Sequence, residues 1–193
     1  MLAKHHNPNK NRQQFHNADE KKAVREMIAE HGLDLPKCDG IFTFPGETEK
    51  DVLNFHSLFP TAKIYGCENL KTVAIHCNFK SYGVDFTLDR GNFHELVEAN
   101  ALSIKTPIHI AWLDYQELTA QKLFKSAKLF AEQYMPDESI MAVTFIDADD
   151  LVQNIEAMMV TLHSRDPIVE DQRTYRATKT TMQSILLRLK SAT

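Results

Sequence analysis

Gly40-Ile41-Phe42-Thr43-Phe44-Pro45-Gly46 and Ala62-Lys63-Ile64-Tyr65-Gly66-Cys67-Glu68 are the stretches that decide how this chain folds. Each is a short, strand-like apolar run. The first ends in a Pro-Gly turn and the second in a carboxylate. Between them, 48–58 reads as a helix whose face carries Val52, Phe55 and His56 and continues to Phe59 before Pro60 stops the pattern. A strand, a glycine turn, a helix and a second strand closing on an acid form the nucleotide-binding half of a doubly wound sheet. In that arrangement Glu68 accepts hydrogen bonds from ribose hydroxyls, which predicts an adenosine-containing cofactor. Glu68 also reads as an acid stabilised by the dipole of the helix that follows it.

Working outward, strands and helices keep alternating. A helix over 70–78 turns Val73, Ala74 and Cys77 inward. A third strand over 84–88 runs into Asp89-Arg90-Gly91, and 93–100 is a short helix or turn. The fourth strand, 108–113, is the most apolar and ends in Asp114-Tyr115. A long helix over 119–134 buries Leu123, Ala127, Phe130 and Ala131. A fifth strand, Ser139–Ile146, leads to Asp147, Asp149 and Asp150, which suit the N-cap of a helix over 151–162 better than a metal site. Five strands each followed by a helix predict an α/β, three-layer Rossmann-like fold, with a mostly parallel sheet and helices on both faces. Right-handed crossovers gather Gly46, Glu68, Asp89, Asp114 and Asp147 on one sheet edge.

Upstream, Asn17 and Glu20 make a capping box for a helix carrying Val24, Met27, Ile28 and His31, with Gly32 as a left-handed stop. Downstream, 174–182 reads as a sixth strand. Ile185, Leu186 and Leu189 give 183–190 the spacing of a short helix, so no seventh strand is expected. The C-terminal edge of the sheet would then be shortened, and a second subunit would cover it, giving a homo-oligomer. The domain reading is a flexible basic arm over 1–16 and one domain over 17–193. That domain comprises an N-terminal helix (17–35), the Rossmann-like core (36–162) and a C-terminal basic segment (163–193).

The 193 residues suffice for one self-supporting core, at 43% hydrophobic and 25% charged composition. No apolar run approaches the ~20 residues of a membrane span. Cys38, Cys67 and Cys77 match no disulfide or metal spacing, so a reducing, cytoplasmic setting is expected. Net charge is −4, unevenly placed. Residues 1–17 hold three basic residues and no acid. Residues 172–193 hold Arg173, Arg176, Lys179, Arg188 and Lys190, again with no acid. Such ends suggest a phosphate-binding surface, hence a nucleic-acid partner, or merely solvated tails.

Over 17–162 the order and spacing of these strand-end residues resemble a class I S-adenosylmethionine-dependent methyltransferase. The resemblance implies S-adenosylmethionine as cofactor. Phe44-Pro45-Gly46-Glu47 would face its methionine part, Glu68 its ribose, and Asp89 and Arg90 its adenine, with Asn69 also among the cofactor-binding residues. It places the methyl acceptor at Asp114 and Tyr115, an acid to take an amine proton and a ring to stack a base. Asp89 also reads as an Asx-turn residue. The first loop has one glycine where the family has two or three, and no Asp/Asn-Pro-Pro-aromatic or Pro-Cys motif follows. With the single-domain economy and basic termini of the chain, the reading is a small methyltransferase of viral or mobile-element character acting on nucleic acid. The alternative is a catalytically inactive methyltransferase-fold protein serving as a binding or assembly subunit.

Overall fold

A computed structural model describes residues 20–45, 50–69, 83–114, 120–146, 151–177 and 180–190. The elements are α1 (Glu20–Leu33), β1 (Gly40–Thr43), α2 (Lys50–Leu58), β2 (Lys63–Glu68), β3 (Phe86–Arg90), α3 (Phe93–Glu98), β4 (Ile110–Asp114), α4 (Ala120–Tyr134), β5 (Ser139–Ile146), α5 (Leu151–Thr161), β6 (Ile168–Ala177) and β7 (Thr180–Leu189). They build one seven-stranded sheet of order β3-β2-β1-β4-β5-β7-β6. The first five strands are mutually parallel, and β7 runs antiparallel to both β5 and β6.

Alternation along the strands sends successive side chains to opposite layers. Ile41, Ile64, Ile110, Trp112, Ile140, Ala142 and Leu186 face α1 and α2, meeting Val24, Met27, Ile28, Val52 and Phe55. Phe42, Tyr65, Cys67, Leu113, Met141, Val143, Ile185 and Leu187 pack with Phe93 and Val97 of α3 and with Leu123, Ala127 and Phe130 of α4. At the centre of that second layer the Phe42 and Phe130 rings lie 4.7 Å apart, with Phe93 5.6 Å from Phe130. The three-layer, mostly parallel architecture is the expected one.

Three expectations need correction. Where one strand over 174–182 and a helix over 183–190 were expected, there are two strands, Ile168–Ala177 and Thr180–Leu189: β7 inserts between β5 and β6, and Met182 to Leu187 are buried on both faces. A strand so enclosed shows no alternation, and its apolar spacing mimics a helix. The sheet is thus extended on this side, with β6 as its edge, rather than shortened. Gly32 lies inside α1 and has no positive φ. A Cβ there would sit 2.9 Å from Ile110 Cδ1 and 3.0 Å from Phe59 Cζ, so the missing side chain serves the contact between α1 and the sheet. Finally, β3 begins two residues later than expected because Phe86 pairs with Ile64, which puts Asp89 and Arg90 within the strand.

The helix expected over 70–78, the cap residue Asn17, Cys77, Asp147, Asp149 and Asp150 lie outside the described residues. The C-terminal basic stretch is not a loose tail where it is described. Arg173 pairs with Asp171 at 2.7 Å and Arg188 with Glu170 at 2.6 Å.

Candidate functional site

The strand order reverses between β1 and β4, and ligands of open α/β sheets bind beyond the carboxyl ends at such a point. Thr43 ends β1 and is registered with Trp112; Asp114, two residues on, ends β4. The two therefore flank the crevice on the face covered by α1 and α2. Thr43 Oγ1 and Asp114 Oδ1 are both buried and have no hydrogen-bond partner among the described residues. Buried polar atoms nearly always find a partner, so two orphans at one crevice mark a place where a ligand could supply it.

The other oxygen of Asp114, Oδ2, is bound by the Lys21 ammonium from the first turn of α1, and both side chains are only 7% exposed. Beside them Arg25 binds Asp51, at the start of α2, at 2.7 Å. Burial pushes the Lys21 ammonium down, but the carboxylates of Asp114 and Asp51 outweigh it and hold the group above its ordinary value. Burial raises the Asp51 carboxyl, opposed by Lys21 and Arg25. The Lys21 ammonium also stands 5.7 Å from the Trp112 ring centroid. Below it, Trp112 Nε1 donates to Thr144 Oγ1 (3.0 Å), which shares a hydrogen bond with Ser184 Oγ (2.7 Å). The switch point thus rests on a buried polar layer spanning β4, β5 and β7.

Sequence reasoning missed Lys21, Arg25, Asp51 and Thr43. One signal was present: Lys21, Val24 and Ile28 share the i, i+3, i+7 spacing, so the lysine continues the buried stripe of α1.

The remaining expected residues are spread along the same edge. Glu68 ends β2, half-buried, in register with Arg90; its carbonyl accepts from Gly91 N–H at 3.1 Å. Asn69 and Arg90 are exposed. Asp89 is engaged within the fold: its carboxylate accepts from both the N–H (2.7 Å) and the hydroxyl (2.6 Å) of Ser103. That is a tie between β3 and the segment after α3, not the Asx-turn. Phe44 packs edge-on against Phe42 (5.8 Å) and Phe93 (5.2 Å), and Pro45 is buried. Gly46, Glu47 and Tyr115 lie outside the described residues. Cys67 is a core thiol donating to the Gly91 carbonyl at 3.2 Å. Burial, then Asp89 and Glu68, push its pKa up to about 12, which makes it a poor nucleophile. Among the described residues no three His, Cys, Asp or Glu side chains are placed to hold a metal, and no helix is long and apolar enough to cross a membrane.

Away from this crevice, His94 of α3 pairs with Ser126 of α4, and burial lowers its pKa. A histidine depressed in the folded state gives stability that is present above its unfolded pKa and lost as pH falls below it. Urea midpoints should therefore drop between pH 7 and pH 5 in wild type, and less steeply in His94→Phe.

No family model matches the chain, and no curated protein matches it. Solved structures do. TrmN from Thermus thermophilus superposes with a TM-score of 0.60 at 12% identity, covering 86% of this chain; the chain spans only 48% of TrmN. An rRNA methylase from Streptococcus thermophilus gives 0.63 at 11% identity, over 91% of this chain and 99% of its own. The [4+2]-cyclase SpnF gives 0.64 at 10% identity, over 88% and 81%. At such identities the likeness concerns the fold, and the cyclase shows that this fold is not tied to one reaction. Sheet order, layering and these superpositions together give the chain the fold of the class I S-adenosylmethionine-dependent methyltransferases.

Proposed function

We propose that this chain binds S-adenosylmethionine along the carboxyl edge around β1, β2 and β4 and directs its methyl group to a nucleic-acid acceptor. The observation that carries the reading is the pair of orphaned buried oxygens, Thr43 Oγ1 and Asp114 Oδ1, flanking the switch point of this sheet. The residues present fit such a ligand, with a half-buried carboxylate ending β2 and a second carboxylate ending β4. When bound, the cofactor supplies an electrophilic methyl group on a sulfonium.

Glu68 accepts hydrogen bonds from the ribose hydroxyls. The segment Phe44-Pro45-Gly46-Glu47 bounds the methionine side, with Gly46 as the position where backbone can approach closely. Asn69 and Arg90 bound the adenine side, where Asp89 contributes by fixing Ser103. Asp114, held at Oδ2 by Lys21, orients the acceptor through Oδ1, and the ring of Tyr115 is assigned to stack on it. Alignment of acceptor and methyl group supplies most of what such a transfer needs. A nucleic-acid acceptor is supported by the acid-free basic stretch 1–17 and by the rRNA methylase among the structures of the same fold.

The packing of Phe44 into the core favours a second reading, a binding or assembly subunit without catalysis. One experiment separates the two. Calorimetric titration with S-adenosylhomocysteine should give saturable heat with wild type. With Glu68→Ala, affinity should be about 10- to 100-fold weaker, the loss expected for hydrogen bonds to a charged group. No heat at millimolar ligand sinks the enzyme reading. If the ligand binds, transfer of labelled methyl into RNA tests the acceptor class.

A further inference from the structure

We infer that the group received at Asp114 is an uncharged hydrogen-bond donor, an amino or hydroxyl group, and that Lys21 acts as the positioning residue that imposes this choice. The inference deepens the transferase reading by naming the chemistry of the acceptor, and as a statement about binding it can be tested apart from transfer.

Among the described residues, the charged side chains gathered at the crevice are Lys21 and Arg25 from α1, Asp51 from α2 and Asp114 from β4, each at most 15% exposed. The neighbouring strands β1 and β5 contribute the uncharged Thr43 and Thr144 on this face. These two cations and two anions balance one another. What it lacks is one proton donor, because Lys21 occupies Oδ2 and Oδ1 has no partner among the described residues. A neutral N–H or O–H fills that vacancy and adds no charge to a buried site. An anion would face Oδ1 directly. A cation would compete with Lys21 and leave the cluster with an excess positive charge in a low-dielectric setting, where such an excess is costly. Lys21 therefore does two things. It neutralises the carboxylate, and by holding one oxygen it aims the other. A phosphate or carboxylate of the substrate must lie elsewhere, and only its amino or hydroxyl group enters.

The test uses three probes with one ring and different charge: benzamide, benzylammonium and benzoate. Their binding is followed by ligand competition and by the 13C shift of the Asp114 carboxyl carbon. In wild type, benzamide should perturb Asp114 and bind at least fivefold more tightly than either ion. Removing one positive charge, by Lys21→Met or by Arg25→Gln, should move the preference toward benzylammonium by tenfold or more. Asp51→Asn should move it toward benzoate, and Lys21→Arg should keep the wild-type order. Arg25→Gln and Asp51→Asn keep the test available if Lys21→Met does not fold. An order of preference unchanged across the variants, a wild type that prefers benzoate, or no probe reaching Asp114 overturns the inference. Loss of S-adenosylhomocysteine binding with the probe order intact would instead overturn the transferase reading alone.

Discussion

Lys21→Met should destabilise the protein by about 3–5 kcal/mol, the cost of stranding one partner of a buried ion pair. The reason lies in the surroundings of Asp114: its side chain is 7% exposed, one oxygen already lacks a donor, and the substitution would orphan the other. Urea unfolding followed by circular dichroism measures the loss as a lower midpoint at unchanged slope. The double variant Lys21→Met, Asp114→Leu should recover most of it, since a buried pair replaced by well-packed apolar groups is often neutral in effect. The pH dependence has a definite sign. The Lys21 ammonium is raised above 10.5 in the fold, so its contribution is whole below that pH and is lost as pH climbs through the folded value. Wild type should therefore lose more stability than Lys21→Met above pH 10.5. A variant as stable as wild type would mean the pair contributes nothing.

Trp112→Ala should cost a similar amount, about 3–5 kcal/mol, the range for truncating a large buried aromatic. Trp112 is fully buried, meets Phe55 edge-on at 6.3 Å, and donates to Thr144. Truncation leaves a cavity directly beneath Lys21 and Asp114. Trp112→Phe should cost less, because Thr144 Oγ1 keeps Ser184 as a partner. Trp112 is the single tryptophan of the chain, so its emission reports on this spot in wild type, and Lys21→Met should shift that emission. A Trp112→Ala variant within 1 kcal/mol of wild type, measured by thermal or urea unfolding, would contradict the packing described above.

How far the fold could be read depended on where each residue finds its partner. Ser139–Ile146 was legible to the residue, because an apolar β-branched run stands between Pro136 and an acidic cluster. β7 was not, since burial on both faces removed the alternation that distinguishes strand from helix. The start of β3 was set by its pairing with β2, a tertiary fact that local pattern does not contain. The site divides in the same way. Asp114 could be found by its place at a strand end. Its partner Lys21 is 93 residues away in the chain; the helical stripe turns that lysine inward, but no local pattern says which carboxylate it meets. The bonds from Ser103 to Asp89 are likewise out of reach of local pattern, since Ser103 lies beyond a helix.

The position of β7 also bears on how the chain can fold. The later strand of the C-terminal hairpin is the inner one, so β6 reaches the sheet only through a strand made after it. During synthesis β5 must wait with an open, apolar edge until residue 189 is available, and neither core layer is complete before then. Sheet closure therefore waits for the latest strand in the chain, and until then the nascent protein carries an exposed pairing edge, the kind of surface that chaperones hold and aggregation exploits.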